Sequence, residues 1–480
     1  MQDELAQEPT LQRQFSARVL VMITLGGSIG TGIFLASGSA LALAGPGGTL
    51  LAYSTMAIMV YFLMTGLGEM ASYMPTTGSF YVYASEFCDP SLGYALGWNY
   101  WYSYAIYIAS EISAAALIMR YWFPDSSPFL WCSIFSFLII GFNAISTKTF
   151  GEVEYWLSFI KITVVVLFII TGFLLVTGVV GHHTGGFHNW YIGDGPFHGG
   201  WSGIIGAFVV AGFSFQGTEL IGIAAGESSN PRKNIPRAIK MVFWRILIFY
   251  ILSIFIISLL LPYNAPQLAT EDVITSPFTL VLKQYHESFA ASIVNGVILI
   301  AIISTANTGM YISSRMMWYL AKEGHMPRVF STVNRRGVPI HALALTSSIT
   351  ILAFLSSVFG NGTVYFWLLN ATSLSGFIAW MGIAISHYRF RKAYVSQGRD
   401  LSKLPYVAKG YPFGPICAFI LCTIVIGGQN YSALVANPID WYGLLISYIC
   451  IPLFLGIWLG HKWINKTKAI SLMDCKFTAE

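Results

Sequence analysis

Long apolar runs alternate with short polar connections along almost the whole 480-residue chain. About twelve runs reach the length of a membrane-spanning helix, near residues 19–44, 48–74, 95–119, 129–145, 155–178, 200–226, 238–261, 288–317, 342–359, 364–388, 412–434 and 441–463. The expected fold is an all-α polytopic membrane protein.

Two runs carry interruptions. The first contains Gly26-Gly27-Ser28-Ile29-Gly30-Thr31-Gly32, four glycines in seven residues, and glycine is the residue that loses most on being fixed in a helix. The sixth contains Phe213-Ser214-Phe215-Gln216-Gly217-Thr218-Glu219, which places Gln216, Gly217 and Glu219 at mid-depth. In lipid every backbone N–H and C=O needs a partner, so such breaks are tolerable only inside protein or against a wet cavity. Freed amides suit an anion and freed carbonyls suit a cation, so the breaks are where a zwitterion is expected to bind. If spans 1–5 and 6–10 form two halves, the breaks fall at matching positions, the pattern of an inverted-repeat transporter with its site near the midplane. A nucleotide loop is excluded, because the glycine spacing is not G-x-G-x-x-G and no strand precedes it.

Composition sharpens this reading. With 55% hydrophobic residues, 10% charged residues and a mean hydropathy of +0.64, the chain has too little polar surface for a water-soluble globule. Its net charge of +5 matters less than its placement. Arg13 and Arg18, Lys148, the group from Arg232 to Arg245, Arg315 to Arg336, Arg389 to Lys409 and Lys462 to Lys476 fall on alternate connections, leaving Arg120 and Lys283 on the other side. By the positive-inside rule both termini face the cytoplasm. No cleaved signal peptide is expected at Met1–Thr10, and six scattered cysteines predict packing rather than disulfides or metal. Four histidines, His182, His183, His188 and His198, sit in the loop before the sixth span; a plain wet loop is preferred there to a metal or pH sensor. No metal, cofactor, nucleic acid or covalent catalysis is expected.

Ionisable groups inside spans are costly, so each is a candidate. Glu69 lies near the inner end of the second span and reads as structural. Glu111 is deep in the third, and Tyr104 and Tyr100, two and three turns earlier, can share its face. Glu219 belongs to the second break. Lys161 lies two turns inside the fifth span, too deep for full snorkelling, and a fixed ammonium there can meet first-break carbonyls and hydroxyls such as Ser304 or Thr305. A buried amine that exchanges a proton favours proton coupling over sodium coupling. Phe213 is placed to act as a lid, and Met310 on the eighth span to supply a flexible apolar wall.

Several strings resemble the amino acid–polyamine–organocation transporters: GGSIGTGIFLASG at 26–38, GWNYWY at 97–102, FGEVEYWLSFIK at 150–161, FSFQGTELIGIAAGES at 213–228, NIPRA at 234–238 and the stretch 370–391 ending in AISHYRFR. The resemblance implies a 5+5 inverted repeat (LeuT-like), with discontinuous helices 1 and 6, divided as repeats 19–178 and 200–388, helices 412–463, and cytoplasmic ends 1–18 and 464–480. It also implies that the substrate carboxylate meets N–H groups at Gly30, Thr31 and Gly32, and that its α-ammonium meets carbonyls near Ser28 and Phe213 or Ser214. Lys161 matches the lysine that replaces sodium in proton-coupled members, and Glu219 the acid of the sixth-span motif. Tyr104, Glu111, Gln216 and Met310 fall in the substrate pocket, Glu111 facing the ε-ammonium of lysine.

The expectation is a proton-coupled L-lysine importer in a bacterial inner membrane. The rivals are a lysine exchanger, a permease for another cationic or aromatic amino acid, and a lysine sensor that transports little and signals to a regulatory membrane partner.

Overall fold

The computed structural model describes residues 16–180, 186–269, 276–284 and 288–477, and no strand occurs among them. Helix α1 (Ala17–Ser28) starts where the Ser16 hydroxyl accepts from the Val19 N–H, and it runs through Gly26 and Gly27 before ending. The break is thus confined to Ile29–Thr31, followed by one wide turn, Gly32–Ala36, and then α2 (Ser37–Tyr73). The separate first and second spans of the sequence reading are joined without a loop. At Gly45 the backbone takes a φ of 70°, open to glycine at little cost, and Pro46 begins the next helical stretch, so the turn between spans becomes a kink within α2.

Then follow α3 (Ser79–Phe87), α4 (Pro90–Met119), α5 (Pro128–Ile145) and α6 (Thr147–Val176). The second broken span is α7 (Gly200–Phe215) and α8 (Leu220–Ala224) with Gln216–Glu219 between them. Next come α9 (Pro231–Leu260), the short α10 (Pro266–Ala269) and α11 (Pro277–Gln284), then α12 (Ser288–Lys322). The ninth span is α13 (Ile340–Ile349) continued through a 3-10 segment into α14 (Ser356–Phe359), and the tenth is α15 (Asn361–Ser396). After α16 (Phe413–Gly427) and α17 (Tyr431–Val435), a pair bent by 48°, α18 (Trp441–Tyr448) and α19 (Cys450–Asn465), completes the bundle.

Eight stretches among the described residues are long and apolar enough to cross a membrane, nine with the bent pair. The first of them, Ala17–Tyr73, holds two crossings either side of its kink, and the shorter apolar helices Leu247–Leu260 and Phe413–Gly427 supply two more. That accounts for all twelve predicted spans. The chain is a multi-pass membrane protein.

Position in the bundle decides which helices can carry polar groups. The apolar window of α4 is 94% buried and that of α6 only 28%, so α4 is central and α6 faces lipid. On α6, Glu154, Ser158 and Lys161 share one face at spacings of four and three and are buried, while Trp156, Phe159 and Ile160 point outward. The polar stripe of this helix is therefore its inner face, the reverse of a water-soluble protein. The six cysteines are unpaired, and five of them are buried. The tail folds back on the bundle: the Ile470 N–H donates to the Cys88 carbonyl at 2.8 Å, and Gln397 donates to the carbonyls of Leu472 and Cys475.

Candidate substrate site at two helix breaks

The two breaks lie against each other. Gly217 has a φ of 100°, and a Cβ there would stand 2.5 Å from the Gly27 carbonyl oxygen, so only glycine permits both the turn and the approach. At the first break, a Cβ on Gly30 would press on the Thr305 side chain of α12 at 2.7 Å, and one on Gly32 would strike the Ser214 backbone. Glycines here allow three backbones and one threonine to meet.

The buried charged side chains around the breaks, Glu111, Glu154, Lys161 and Glu219, each have partners within the chain. The Lys161 ammonium donates to the Gly26 carbonyl at 2.5 Å and stands 3.9 Å from Glu154 Oε1. Glu154 also accepts from Ser304 and from Asn307 Nδ2, the latter at 3.3 Å, and Asn143 donates on to Asn307 at 2.7 Å. Lys161 thus meets a carbonyl in the last turn of α1, just before the break, while Ser304 pairs with Glu154, and Thr305 with Glu111. Glu154 is a site residue that the sequence reading missed. Its signal was present: an acid seven residues before the lysine, hence on the same face of the same helix.

Glu111 sits directly behind the first break. Thr31 donates to its Oε1 at 2.5 Å and Thr305 to its Oε2 at 2.8 Å. Tyr100, Tyr104 and Glu111 stand at successive heights along α4 and have different partners. Tyr100 and Tyr104 instead donate to Glu219 Oε1 at 3.1 and 2.9 Å, while Trp380 Nε1 and the Gly217 N–H donate to its Oε2, each at 3.1 Å. Four converging donors suit a carboxylate, which only accepts. Glu219 therefore ties the second break to α4 and α15.

The remaining predicted residues divide. Phe213 is buried, with its ring 5.9 Å from that of Tyr107. Ser214 Oγ bonds the Tyr53 hydroxyl at 2.8 Å, and Gln216 donates to the Ser373 carbonyl of α15 at 2.9 Å. Met310 is buried but its sulfur meets Ser347 of α13 at 3.8 Å, so its recorded polar contact is to the ninth span rather than to the breaks. A second residue that sequence reasoning missed is Tyr250 of α9. Its hydroxyl donates to the Ser28 carbonyl at 2.6 Å and to the Ser214 carbonyl at 2.8 Å, so the two helix ends converge on one oxygen. A tyrosine in an apolar helix gives no such signal in sequence.

A cavity of about 650 Å³ leads toward this region from the end that carries His198 and Gly428–Ser432. Its inner wall includes Leu35 and Ala36, just past the first break, and Val209 and Val210, a turn before Phe213. At the opposite end of the broken helices the bundle is bolted by buried charges. Glu227 accepts from Tyr311 at 2.6 Å and Arg315 at 3.2 Å, and Glu69 accepts from Arg391 at 2.5 Å and from the Ala408 N–H at 2.7 Å. Of the loop histidines, His198 pairs with Asp194 at 2.6 Å, His188 lies in a short 3-10 segment, and His182 and His183 fall outside the described residues. No group of three possible metal-ligating side chains comes together among the described residues.

Two interrupted helices that meet inside a multi-pass bundle, with a cavity leading toward them from one end and charged bolts at the other, define a membrane carrier for a small solute. Residues 19–472 match the family described as "Amino acid permease", and the chain belongs to that family. It is 52% identical over 473 residues to "Lysine-specific permease LysP" of Escherichia coli (strain K12), covering 98% of this chain and 97% of that protein. It is 49% identical to the protein of the same name from Lactococcus lactis subsp. cremoris (strain MG1363), and 44% identical to "Histidine permease HisP" of that strain, covering 97% and 98% of this chain. The molecule is a permease and not an enzyme.

Proposed function

We propose that this permease imports L-lysine by proton symport and alternating access across a bacterial inner membrane, with both termini in the cytoplasm. The observation that carries the coupling is Lys161, a fully buried ammonium held on the carbonyl of the broken helix and beside one carboxylate. A cation fixed by the protein at that hinge leaves no need for a metal cation there, and loss or gain of its proton alters how firmly α6 grips α1. The lysine cargo is supported by two relatives of that name over nearly the whole chain.

In this reading the site lies between two repeats, 19–178 and 200–388. The N–H groups at Gly30, Thr31 and Gly32 take the carboxylate, and the carbonyls of Ser28 and Ser214 take the α-ammonium. Phe213 closes over the substrate. Glu111, bonded to Thr31 at the break, is the counter-charge for the ε-ammonium, and Tyr104, Gln216, Glu219 and Met310 shape the pocket around it. The basic residues on alternate connections support the orientation.

The test is uptake of labelled L-lysine by proteoliposomes containing the full chain, with every other amino acid as competitor. Accumulation in empty vesicles under an inward proton gradient alone is the expected result. Uptake only into vesicles preloaded with an amino acid points to an exchanger, and stronger competition by another amino acid moves the cargo to that compound. Binding without uptake leaves the sensor reading.

A further inference from the structure

Tyr250 stands where the proposed site has its ammonium-binding carbonyls. Its ring is fully buried, stacked on Phe215 at 4.7 Å and 21° and tilted against Tyr53 at 6.5 Å and 38°, so the hydroxyl has little freedom to swing away. That hydroxyl has one proton and two acceptors, the carbonyls of Ser28 and Ser214. The pair is one donor short. Each carbonyl keeps a second lone pair, and the hydroxyl oxygen, having given its proton, can only accept. Three oxygens from three different helices, α1, α7 and α9, are thus gathered around one point with acceptor capacity to spare.

We propose that Tyr250 is a substrate-binding residue: its hydroxyl oxygen and the carbonyls of Ser28 and Ser214 form a three-acceptor cradle for a primary α-ammonium. The proposal rests on the reading above only in taking an α-amino acid as the substrate. An ammonium has three N–H donors and matches three oxygens, whereas a compound with no α-amino group leaves the cradle as it is in the empty protein. In the unloaded state the tyrosine proton holds both carbonyls at the same point, so the cradle is set before the substrate arrives and less ordering remains at binding. Because its members lie on both broken helices and on α9, a bound ammonium also ties those helices together.

The experiment compares L-lysine with 6-aminohexanoate, which keeps the carboxylate and terminal ammonium and lacks only the α-amino group. Their ability to inhibit labelled lysine uptake is measured for the wild-type permease and for Tyr250→Phe, which keeps the ring and its stacking. A hydrogen bond to a charged group changes affinity by roughly tenfold or more, so Tyr250→Phe is expected to weaken lysine by about that factor and to leave 6-aminohexanoate unchanged. The ratio between the two ligands then collapses. Equal losses for both ligands, or lysine affinity unchanged in a folded variant, overturn the cradle and leave Tyr250 as a structural tie. Thermal unfolding without ligand identifies a variant that has merely failed to fold, and in that event Nα-methyl-lysine against lysine on wild-type protein decides the matter: the cradle requires a marked preference for the primary amine, and equal affinity refutes it. Failure of the lysine reading shows separately, as wild-type protein that does not take lysine. The same comparison then runs with the amino acid that the competition panel retains and its des-amino counterpart.

Discussion

Replacing Lys161 by methionine removes a buried ammonium while nearly keeping its length. Two groups lose by it: the Gly26 carbonyl loses a donor at 2.5 Å, and Glu154 loses the cation 3.9 Å from its Oε1. A buried acceptor left unpaired costs about 1–3 kcal/mol, and a buried charge stripped of its partner about 3–5 kcal/mol. The two losses overlap, because Ser304 and Asn307 still hold Glu154, so about 3–5 kcal/mol is the expected total. If the orphaned carboxylate carries most of that cost, the double variant Lys161→Met/Glu154→Gln recovers about 2 kcal/mol or more of it. The assay is a double-mutant cycle on thermal unfolding of the purified permease, run beside proton-driven uptake in proteoliposomes. Stability is expected to return partly in the double variant while concentrative uptake stays lost in both, since the cation at the hinge is gone. Additive costs within about 0.5 kcal/mol refute the pairing of Lys161 with Glu154. Normal accumulation by Lys161→Met refutes its part in coupling.

Other perturbations test other contacts. Glu219→Gln is expected to lower stability by only about 1 kcal/mol, because the Tyr100 and Tyr104 hydroxyls can turn from donors to acceptors toward the new amide, whereas Glu219→Leu strands the Trp380 and Gly217 N–H groups and costs about 3 kcal/mol or more; thermal unfolding of the two variants separates these outcomes. Gly217→Ala must place a Cβ against the Gly27 backbone at a φ of 100°, so about 1–3 kcal/mol of strain and a loss of transport are expected, read as reduced folded yield and uptake. Glu111→Gln should weaken lysine more than neutral analogues in competition assays, and equal weakening of both makes the acid structural. In the loop before α7, hydrogen bonds from Tyr263 and then His198 hold the Asp194 carboxyl down to about 2. A depressed carboxylate stabilises the folded loop above its ordinary range near 4, and that contribution disappears as pH falls toward 2. Hydrogen exchange at residues 190–203 is therefore expected to stay slow from neutral pH to about 4 and to quicken below it, with the change absent in Asp194→Asn.

Membrane insertion, the number of spans and the positions of both breaks were legible in the sequence because each depends on local composition. Apolar length and glycine content act over one helix, whatever its neighbours are. The extent of the first break was overread: Gly26 and Gly27 stay helical, since close packing against α6 and α8 rather than a turn is what their missing side chains serve. The loopless join at Gly45 was likewise hidden, because a glycine–proline pair is compatible with either a loop or a kink.

Partnerships between distant residues were not legible. Glu111, Tyr100 and Tyr104 look like one group on α4, yet the two to three turns of axial distance between them bring the acid to Thr31 and Thr305 and the tyrosines to Glu219. Tyr250 lies in an unremarkable apolar run and becomes part of the site only because α9 crosses both helix ends. By itself the sequence determined a twelve-span bundle with two polar breaks and a buried lysine, since hydrophobic length, glycine entropy and the cost of a buried charge are properties of each segment alone. Only the tertiary structure decided that Lys161 grips Gly26 beside Glu154, and that two carbonyls and one hydroxyl meet at a point, because hydrogen bonds act over about 3 Å between residues on different helices, 135 positions apart for Lys161 and Gly26 and 222 for Tyr250 and Ser28.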